Sequence, residues 1–334
     1  MEDKNLTIGD IAEELGVSKT TISRAISGKG RIGEKTRKRV LTYIEEHHYS
    51  PNIIARGLAQ NKTFNLGVVL PGDYNVAELP FFQKCMLGIT RVASARGYDV
   101  LLSMVTAQKT TQLKRAVKNR KIDGVILTRT LVDDKAMKYL LQNDVPFVAI
   151  GSADDERVVQ IDNDHRNACR ELTEKLLEGG IRKLALIGSD ENHIVTENRL
   201  QGFEDAFVKK NGWKGSRQTF LNVKDDAEVQ KIVEKLLADG TECIVSMDDF
   251  LCGCVLNALQ MRQIAVPEQM QVVSFYDSTL LANRTPSVTS IRFDVEELGK
   301  KACETLLAML EGEKVEPRTL LGYEVRMRSS TKRA

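Results

Sequence analysis

The sequence predicts an α/β protein in which two lobes, each a parallel sheet flanked by helices, follow a small all-α domain at the N-terminus. Three observations predict this fold. Apolar residues recur at helical spacing before residue 50, short apolar runs alternate with amphipathic segments after residue 64, and this alternating series starts again midway along the chain. Buried strands that alternate with helices form parallel sheets covered on both faces.

The first 27 residues predict two short helices joined by a tight turn. Thr7 can cap the first helix, and Gly16 follows its last apolar residue, where a left-handed stop favours glycine. Ser18 can cap the second helix two residues later. The apolar face of the first helix consists of Ile8, Ile11, Ala12 and Leu15. So short a turn predicts a crossed helix pair.

The second helix has a polar outer face. Ile22, Ala25 and Ile26 point back at the first helix, which leaves Lys19, Thr20, Ser23 and Arg24 outside. All four can donate hydrogen bonds, and a helix fits the major groove of DNA, where base edges are distinguishable. The pattern predicts a helix-turn-helix, although the two helices alone are equally compatible with a helical hairpin inside a larger core.

Two more helices are predicted before residue 63. The third covers residues 34–47, with Val40, Leu41 and Ile44 as its apolar stripe. Ser50 as cap and Pro51 at the first helical position predict a short fourth helix. Helices of that length are marginal in water without a partner, so we expect this one to fold on docking.

With these segments the chain resembles the LacI/GalR family of bacterial transcription regulators. The stretch from Thr7 through Arg24, and Tyr49-Ser-Pro-Asn with Ala55, Arg56 and Leu58, match the headpiece and hinge of that family. The resemblance implies that Lys19, Thr20 and Arg24 read bases and that Leu58 is a wedge that kinks the duplex in the minor groove. The full set of implied DNA contacts is Thr7, Ser18, Lys19, Thr20, Ser23, Arg24, Asn52, Ala55 and Leu58.

Composition agrees with a small head on a larger soluble body. The chain has 334 residues, 42% hydrophobic and 28% charged, and a net charge of +2. Up to Lys62 there are eleven Lys and Arg against eight Asp and Glu, which places +3 in the head and −1 on the remainder. No apolar run approaches a membrane span and no signal core opens the sequence, so we expect a cytoplasmic protein.

Several motifs are expected to carry no chemistry. The six cysteines, at 85, 169, 243, 252, 254 and 303, form no disulfide-like framework, and Cys252 and Cys254 have no partners nearby in sequence for a metal site. Gly28-Lys-Gly-Arg-Ile-Gly33 satisfies a dinucleotide fingerprint, yet a helix precedes it where a strand is required. With no P-loop or nucleophile elbow either, we expect no catalytic activity, metal or cofactor.

The body is predicted as two successive series of strands and helices. Strands of the first series are expected at 65–70, 99–103, 123–128 and 146–150, with helices at 80–96, 108–119 and 135–142. Strands of the second are expected at 183–187, 219–223, 243–246 and 271–275, with helices at 199–208, 227–237 and after Asp249. A helix at 295–311 and a strand before Arg328 are expected to return to the lobes as crossovers.

This architecture resembles the type I periplasmic-binding-protein-like domain of the same family. The implied domains are a headpiece at 1–49, a hinge at 50–63 and an effector-binding and dimerisation domain at 64–334. Within the last, the N-lobe is expected to comprise 64–161 and 291–322, and the C-lobe 162–290 and 323–334. Ligands of open α/β sheets bind beyond the strand C-termini, here in a cleft between the lobes.

Position and resemblance together predict the cleft residues. They are Phe81, Phe82, Arg129, Arg199, Asp248, Asp249, Tyr276 and Asp277. An aromatic ring packs on a sugar or base ring, and the Arg199 guanidinium can grip hydroxyls or a carboxylate. Asp249 could instead cap the following helix, and Arg129 could form a salt bridge. Tyr276 stands where the family has its effector aspartate, which leaves the ligand open.

The resemblance implies an allosteric, homodimeric regulator of transcription, most often a repressor in this family. Two heads would read the half-sites of a near-palindromic operator, and a small molecule between the lobes, expected to be a sugar, would control that binding. The alternative is the same architecture responding to a nucleobase, a phosphorylated metabolite or a protein co-regulator.

Overall fold

The chain divides into two units, residues 1–63 and 64–334. We describe both from a computed structural model that covers residues 6–27, 30–47, 49, 57, 60–73, 80–209 and 213–332. The predicted hinge helix, with Ser50, Pro51, Asn52, Ala55 and Leu58, lies outside the described residues, as does Gly28 of the glycine motif.

The head contains α1 (Ile8–Glu14), α2 (Lys19–Ser27) and α3 (Glu34–Glu46). Thr7 caps α1 in a capping box: the Asp10 amide donates to the Thr7 hydroxyl, and the Thr7 amide donates to the Asp10 carboxylate. The Thr21 amide donates to Ser18 Oγ at 3.1 Å, as expected for a cap of α2. Gly16 has the left-handed φ of +61° that the turn prediction requires.

A small core joins the three head helices. Its buried residues are Ile11, Ala12, Ile22, Ala25, Val40 and Tyr49. The prediction for Leu41 was wrong, because this residue is 37% exposed, whereas Ile44, also predicted, packs on the core together with Tyr43. The Tyr43 hydroxyl also donates to Glu14 Oε2 at 2.5 Å, which ties α3 to the end of α1.

The N-lobe begins with β1, where Phe64 leaves the head. Its elements before the first crossover are β1 (Asn65–Pro71), α4 (Pro80–Ala95), β2 (Asp99–Val105), α5 (Thr111–Lys118), β3 (Gly124–Leu127), α6 (Lys135–Gln142), β4 (Phe147–Ile150) and β5 (Val159–Asn163). The C-lobe elements are α7 (His165–Glu178), β6 (Lys183–Ile187), α8 (Ile194–Lys209), β7 (Ser216–Phe220), α9 (Asp226–Ala238), β8 (Cys243–Ser246), α10 (Asp249–Met261), β9 (Gln271–Ser274), α11 (Thr279–Ala282) and β10 (Thr289–Phe293).

The chain then crosses back and forth. Helix α12 (Val295–Leu310) packs on α4 of the N-lobe, β11 (Arg318–Leu321) completes the N-lobe sheet, and β12 (Tyr323–Arg326) completes the C-lobe sheet. The sheet orders are β11-β5-β4-β3-β1-β2 and β12-β10-β9-β8-β6-β7. The same order occurs in both lobes, so the C-lobe repeats the N-lobe.

One strand departs from the predicted parallel sheets. β11 pairs with β5 in parallel, whereas β12 pairs with β10 antiparallel. Only Gly322 separates β11 from β12. The chain runs toward the cleft in β11 and, with only one residue between the strands, continues in the same direction into β12, where it runs away from the cleft. This explains why β12 is antiparallel to β10.

The boundaries of several elements also differ from the predictions. β7 covers Ser216–Phe220 and not 219–223, because its sequence (SRQTF) is an edge strand with a mostly polar surface and lacks a strong apolar signal. Five elements were not predicted from the sequence: β5, α7, α11, β10 and β11. Four of these elements, β5, α7, β10 and β11, flank the crossovers between the lobes.

Candidate functional sites

Helix α2 presents one polar face to solvent. Lys19, Thr20, Ser23 and Arg24 are exposed, while Ile22 and Ala25 on the opposite face are buried in the head core. This is the amphipathic division that the sequence predicts. The exposed face offers an ammonium, a guanidinium and two hydroxyls along one side of a helix, which are the donors that base edges in a major groove accept.

Two glycines support the long side chains of this face. A Cβ on Gly9 would lie 3.3 Å from Lys19 Cε, and one on Gly30 would lie 3.2 Å from Arg24 Cδ. Gly30 also has a φ of +91°, which L side chains rarely adopt. Both stems therefore rest against glycine backbone. By contrast, the hydroxyls of Thr7 and Ser18 are engaged in helix capping.

Arg199 lies where the two lobes meet. It belongs to α8, and its Nη1 donates to the carbonyl of Met247 at 2.5 Å, beyond the end of β8. Its Nε is buried and has no hydrogen-bond partner among the described residues. Its charge acts on Asp162 from the N-lobe and on Asp248 and Asp249 from the C-lobe, favouring the ionised form of each.

The two adjacent aspartates of the C-lobe have different partners. Asp248 is the N-cap of α10: its Oδ1 accepts from the Leu251 amide at 2.8 Å. The cap is therefore Asp248, whereas the sequence had suggested Asp249. The nearby Ser278 hydroxyl favours the ionised form of the Asp249 carboxyl and so lowers its pKa. Burial raises the pKa of both carboxyls, and Arg199 partly offsets that rise.

Aromatic rings from both lobes meet at the cleft. Phe81 in the first turn of α4 packs edge-on against Phe82, with ring centroids 5.2 Å apart, and against Tyr276 of the C-lobe at 6.3 Å. Both phenylalanines are half-buried, while Tyr276 is 5% exposed. Burial, with the charge of Asp249 adding to it, raises the pKa of Tyr276. The phenol is therefore neutral near neutral pH.

Asp277 faces the C-terminal segment. Its carboxylate forms a two-pronged ion pair with Arg328 at 2.8 Å and accepts from Ser290 Oγ at 2.8 Å. Burial opposes ionisation, yet the hydrogen bonds from Arg328 and Ser290 hold the pKa of Asp277 below its ordinary value. The side chains of Asp277 and Arg328 are 9% and 15% exposed, respectively. This placement differs from the predicted cleft contact, because both carboxylate oxygens already have a cationic partner.

Arg129 also has partners within the protein. Both terminal nitrogens lie 2.8 Å from the carboxylate of Asp73, and Nη1 lies 3.4 Å from His193 Nε2. The backbone beside it joins the lobes: the Val132 amide donates to Asn192 at 2.9 Å, and Leu131 bridges to His193. The salt-bridge alternative for Arg129 is thus the arrangement observed.

Four polar residues missed by sequence reasoning lie around Arg199. Ser152 Oγ donates to Asp162 Oδ2 at 2.8 Å, and Asn198 Nδ2 lies 3.5 Å from the same Ser152 oxygen. His165 Nε2 is 3.5 Å from Asp162 Oδ1. Burial raises the pKa of Asp162 to about 6, despite the Ser152 hydrogen bond and the Arg199 charge, and burial lowers that of His165 well below its ordinary value.

The described ranges contain neither a metal-binding cluster nor a membrane-spanning helix. Over the described ranges, no group of three His, Cys, Asp or Glu side chains is arranged to hold a metal ion. Cys252 and Cys254 both lie in α10 with buried side chains. No helix within those ranges is long and apolar enough to cross a membrane.

Comparison with known proteins identifies both units. Residues 7–52 match the family model for bacterial regulatory proteins of the lacI family, and residues 173–331 match that of a periplasmic binding protein-like domain. The HTH-type transcriptional regulator pepR1 of Lactobacillus delbrueckii subsp. lactis is 28% identical over 99% of each chain. The solved complex of the regulator CelR with cellobiose is 26% identical, covers 97% of this chain and 99% of its own, and has a TM-score of 0.71.

The head exposes the polar face of helix α2, and the body is a two-lobed domain with a polar cleft. Together these features define the class of protein as a DNA-binding regulator of transcription. The chain belongs to the LacI family of bacterial transcription regulators. Its fold is also that of a lac repressor dimer solved with operator and the anti-inducer ONPF, which is 23% identical over 98% of this chain and 99% of its own at a TM-score of 0.81. These relatives are transcription regulators and not enzymes.

Proposed function

We propose that this regulator is a repressor whose DNA binding is controlled by a neutral saccharide held between the lobes. The observation that carries the proposal is Arg199, a half-buried guanidinium with a free Nε, surrounded by carboxylates and close to an aromatic pair. Guanidinium donors and carboxylate acceptors complement vicinal hydroxyls, and aromatic faces pack on the apolar face of a sugar ring. Cellobiose in the CelR structure supports the same class of ligand.

Charge favours a neutral effector over a phosphorylated one. Around Arg199 stand three carboxylates, from Asp162, Asp248 and Asp249. Arg129, the other cation predicted for the cleft, is neutralised by Asp73. A phosphate would therefore meet more negative than positive charge. A nucleobase remains the second candidate, supported by the contact between Phe81 and Tyr276 across the cleft.

We assign the effector contacts accordingly. The proposed set is Phe81, Phe82, Asp162, Arg199, Asp248, Asp249 and Tyr276, while Asp277 and Arg129 hold structure through their ion pairs. The proposed DNA contacts stay as in the sequence: Thr7, Ser18, Lys19, Thr20, Ser23 and Arg24, with Asn52, Ala55 and Leu58 in the hinge. The proposed domains also stay at 1–49, 50–63 and 64–334, the last with its two lobes.

An exposed apolar edge supports a homodimer. β2 is an edge strand of the N-lobe sheet, and its Leu102 and Met104 are 52% and 38% exposed. Leu87 on the neighbouring α4 is 53% exposed. Edge strands with exposed apolar side chains pair readily with another chain. A two-fold dimer would match a near-palindromic operator. Because the target is bacterial operator DNA, we expect the protein to act in the cytoplasm, and because its relatives are transcription regulators, we propose that it has no catalytic activity.

The effector proposal is tested by calorimetric titration of the full-length protein with cellobiose, maltose, glucose 6-phosphate and adenine. We expect binding of a neutral disaccharide, and a loss of at least about 100-fold in Arg199→Ala, because hydrogen bonds to a charged group contribute about 1.5 to 3 kcal/mol each. Arg217→Ala is the matched control, since that arginine of the same lobe pairs with Glu204 on the surface. Binding of glucose 6-phosphate alone, or of a disaccharide equally by both variants, would contradict the proposal.

The reading role of α2 is tested separately by Arg24→Ala. We expect affinity for a duplex selected from a random library to fall by about 1 to 3 kcal/mol, while weak binding to unselected DNA is retained, because a bidentate base contact contributes that much discrimination. Equal losses on both DNAs would assign Arg24 to the phosphate backbone.

A further inference from the structure

A strongly basic segment covers α5 and the turn that follows it. Between residues 109 and 122 there are six Lys and Arg and no Asp or Glu. The six are Lys109, Lys114, Arg115, Lys118, Arg120 and Lys121, and all of them are exposed. Within the described parts of the chain, none of these six forms an ion pair. Their charge therefore faces solvent without compensation.

The last three of these cations lie where the chain enters the N-lobe. We call Lys118, Arg120 and Lys121 the basic turn. Asn65 Nδ2 donates to the carbonyl of Lys121 at 3.0 Å, so the turn is bonded to the first residue of β1. Asp123, the next acid, accepts from the Phe64 amide at 2.9 Å. The basic turn is thus fixed beside the point at which the DNA-binding head is covalently attached.

The acids beside the basic turn are fewer than its cations. Asp123 accepts from the Phe64 amide, and Asp99 opens β2 opposite Asn65 of β1. The acids that precede β5 lie at the far side of the sheet in the strand order, and one of them, Asp155, pairs with Arg157. With three cations against two acids, the surface around the basic turn keeps a net positive charge beside the head attachment.

From this placement we infer that the basic turn binds phosphates of DNA outside the segment read by the head. A cation that neutralises a phosphate releases a condensed counterion, so such contacts strengthen binding without regard to sequence and weaken as salt rises. The net positive charge of the basic turn, whose three cations form no ion pair within the described residues, favours a polyanion as its ligand. The inference rests on the DNA-binding activity of the head.

Arg120 permits a substitution that removes charge without harming the fold. It follows the C-cap of α5 with a left-handed φ of +48°, a position at which glycine is preferred over residues with a Cβ. Arg120→Gly therefore relieves backbone strain, and we expect its thermal unfolding temperature to be equal to or above that of the parent protein. A loss of DNA binding in this variant would not be explained by unfolding.

The test compares two triple variants of the full chain. The first carries Lys118→Ala, Arg120→Gly and Lys121→Ala. The control carries Lys109→Ala, Lys135→Ala and Lys231→Ala, which removes the same charge from the other end of α5, from α6 and from the C-lobe. Affinity is measured over a range of salt on a library-selected duplex, with and without about one helical turn (roughly 10 base pairs) of extra DNA at each end.

We expect the first variant to lower the slope of log K against log salt by roughly 1 to 3, at about 0.9 per lost phosphate contact, on the extended duplex and on random DNA of equal length. On the duplex without extra DNA, the two variants should show the same slope of log K against log salt. The inference would be overturned if, on the extended duplex, the parent and the first variant had equal slopes, or if the two variants lost affinity equally. An unchanged slope with regulation lost in cells would assign the turn to an acidic protein and also overturn it.

A failure of DNA binding as such is distinguishable from a failure of this inference. If the parent protein selects no duplex from the library, the reading role of the head is wrong. If the parent selects a duplex, that selection disappears in Arg24→Ala, and the first triple variant behaves as the parent does, only the role of the basic turn is wrong.

Discussion

The two lobes repeat one strand order but bring different chemistry to the cleft. The C-lobe contributes Arg199, Asp248 and Asp249. Arg199 is held by a backbone carbonyl, and Asp248 is held as a helix cap. The N-lobe contributes the ring of Phe81 and one carboxylate, Asp162. The polar groups of the proposed effector site therefore come mostly from the C-lobe, and the N-lobe adds apolar surface.

The ion pairs of the two lobes also differ, in how far they are exposed to solvent. In the C-lobe Asp277 and Arg328 are 9% and 15% exposed, and Arg328 also donates to the Val288 carbonyl at 2.6 Å. In the N-lobe Arg129 is 14% exposed, but its partner Asp73 is 36% exposed. Solvent therefore screens the Arg129–Asp73 pair of the N-lobe more than the Arg328–Asp277 pair of the C-lobe.

The largest effect is expected from breaking the C-lobe pair. Arg328→Ala leaves Asp277 ionised and nearly buried, and should lower the free energy of unfolding by about 3 to 5 kcal/mol. Arg129→Ala, its counterpart in the N-lobe, should cost about 1 kcal/mol or less, because solvent screens the exposed Asp73. Urea denaturation of both variants measures the difference. Equal losses would show that burial does not distinguish the two pairs.

Close helix packing gives the next largest effect. A Cβ on Gly299 of α12 would overlap the carbonyl of Cys85 on α4, whereas one on Gly253 of α10 would meet nothing within 4 Å. Gly299→Ala should therefore destabilise the N-lobe by about 3 kcal/mol. Gly253→Ala, the matched control, should stabilise the C-lobe helix by about 0.5 to 1 kcal/mol. Thermal unfolding of both tests this, and a neutral Gly299→Ala would mean that the helices can separate freely.

Asp162 and Asp277 should respond to pH in opposite directions. Asp277 has a lowered pKa, so it stabilises the protein above its ordinary pKa and loses that effect as pH falls. Asp162 has a pKa raised from 3.8 to about 6, so ionising it opposes folding, and stability falls as pH rises from 3.8 to about 6. Asp162→Asn should raise stability at neutral pH by about 3 kcal/mol.

The measurement for Asp162 is thermal unfolding of Asp162→Asn and the parent on both sides of pH 6. The two proteins should converge at acidic pH, where the parent carboxyl is already neutral. A constant difference across the whole range would attribute the effect of the substitution to packing.

The smallest effect is expected at the sheet edges. β2 exposes Leu102, whereas β7, the corresponding edge of the C-lobe, exposes the polar Thr219. If β2 forms the dimer edge, Leu102→Glu should weaken dimerisation at least tenfold, about 1.4 kcal/mol. Thr219→Glu should leave it unchanged. Sedimentation equilibrium measures both, and the reverse ranking would move the interface to the C-lobe.

The head could be predicted almost entirely from sequence because its signals are local. Thr7, Gly16 and Ser18 terminate or begin helices through contacts within a few residues, and the polar face of α2 follows from spacing alone. Leu41 was the exception, since helix periodicity cannot tell which edge of an apolar stripe meets the neighbouring helices.

In the body, the alternation of strands and helices could be predicted, whereas the elements at the crossovers between the lobes were predicted less well. β5 and α7 were missed because the segment QIDNDHR is polar where the chain passes between lobes, and its burial comes from the second lobe. Asp162 was missed for the same reason: it approaches Arg199 only through the packing of distant elements. Whether Asp248 or Asp249 caps α10 depends on a shift of one residue, which composition does not determine.

The strand that runs through both sheets constrains how the lobes can move. β11 is hydrogen-bonded to β5, and β12 to β10, with Gly322 alone between them. Neither half can slide along its sheet without breaking its ladder, so the lobes have no freedom to translate along this strand. Reorientation of the lobes must therefore take the form of rotation about backbone torsions in the three connections, at residues 164, 294 and 322, and such rotation changes the angle between the lobes and the width of the cleft.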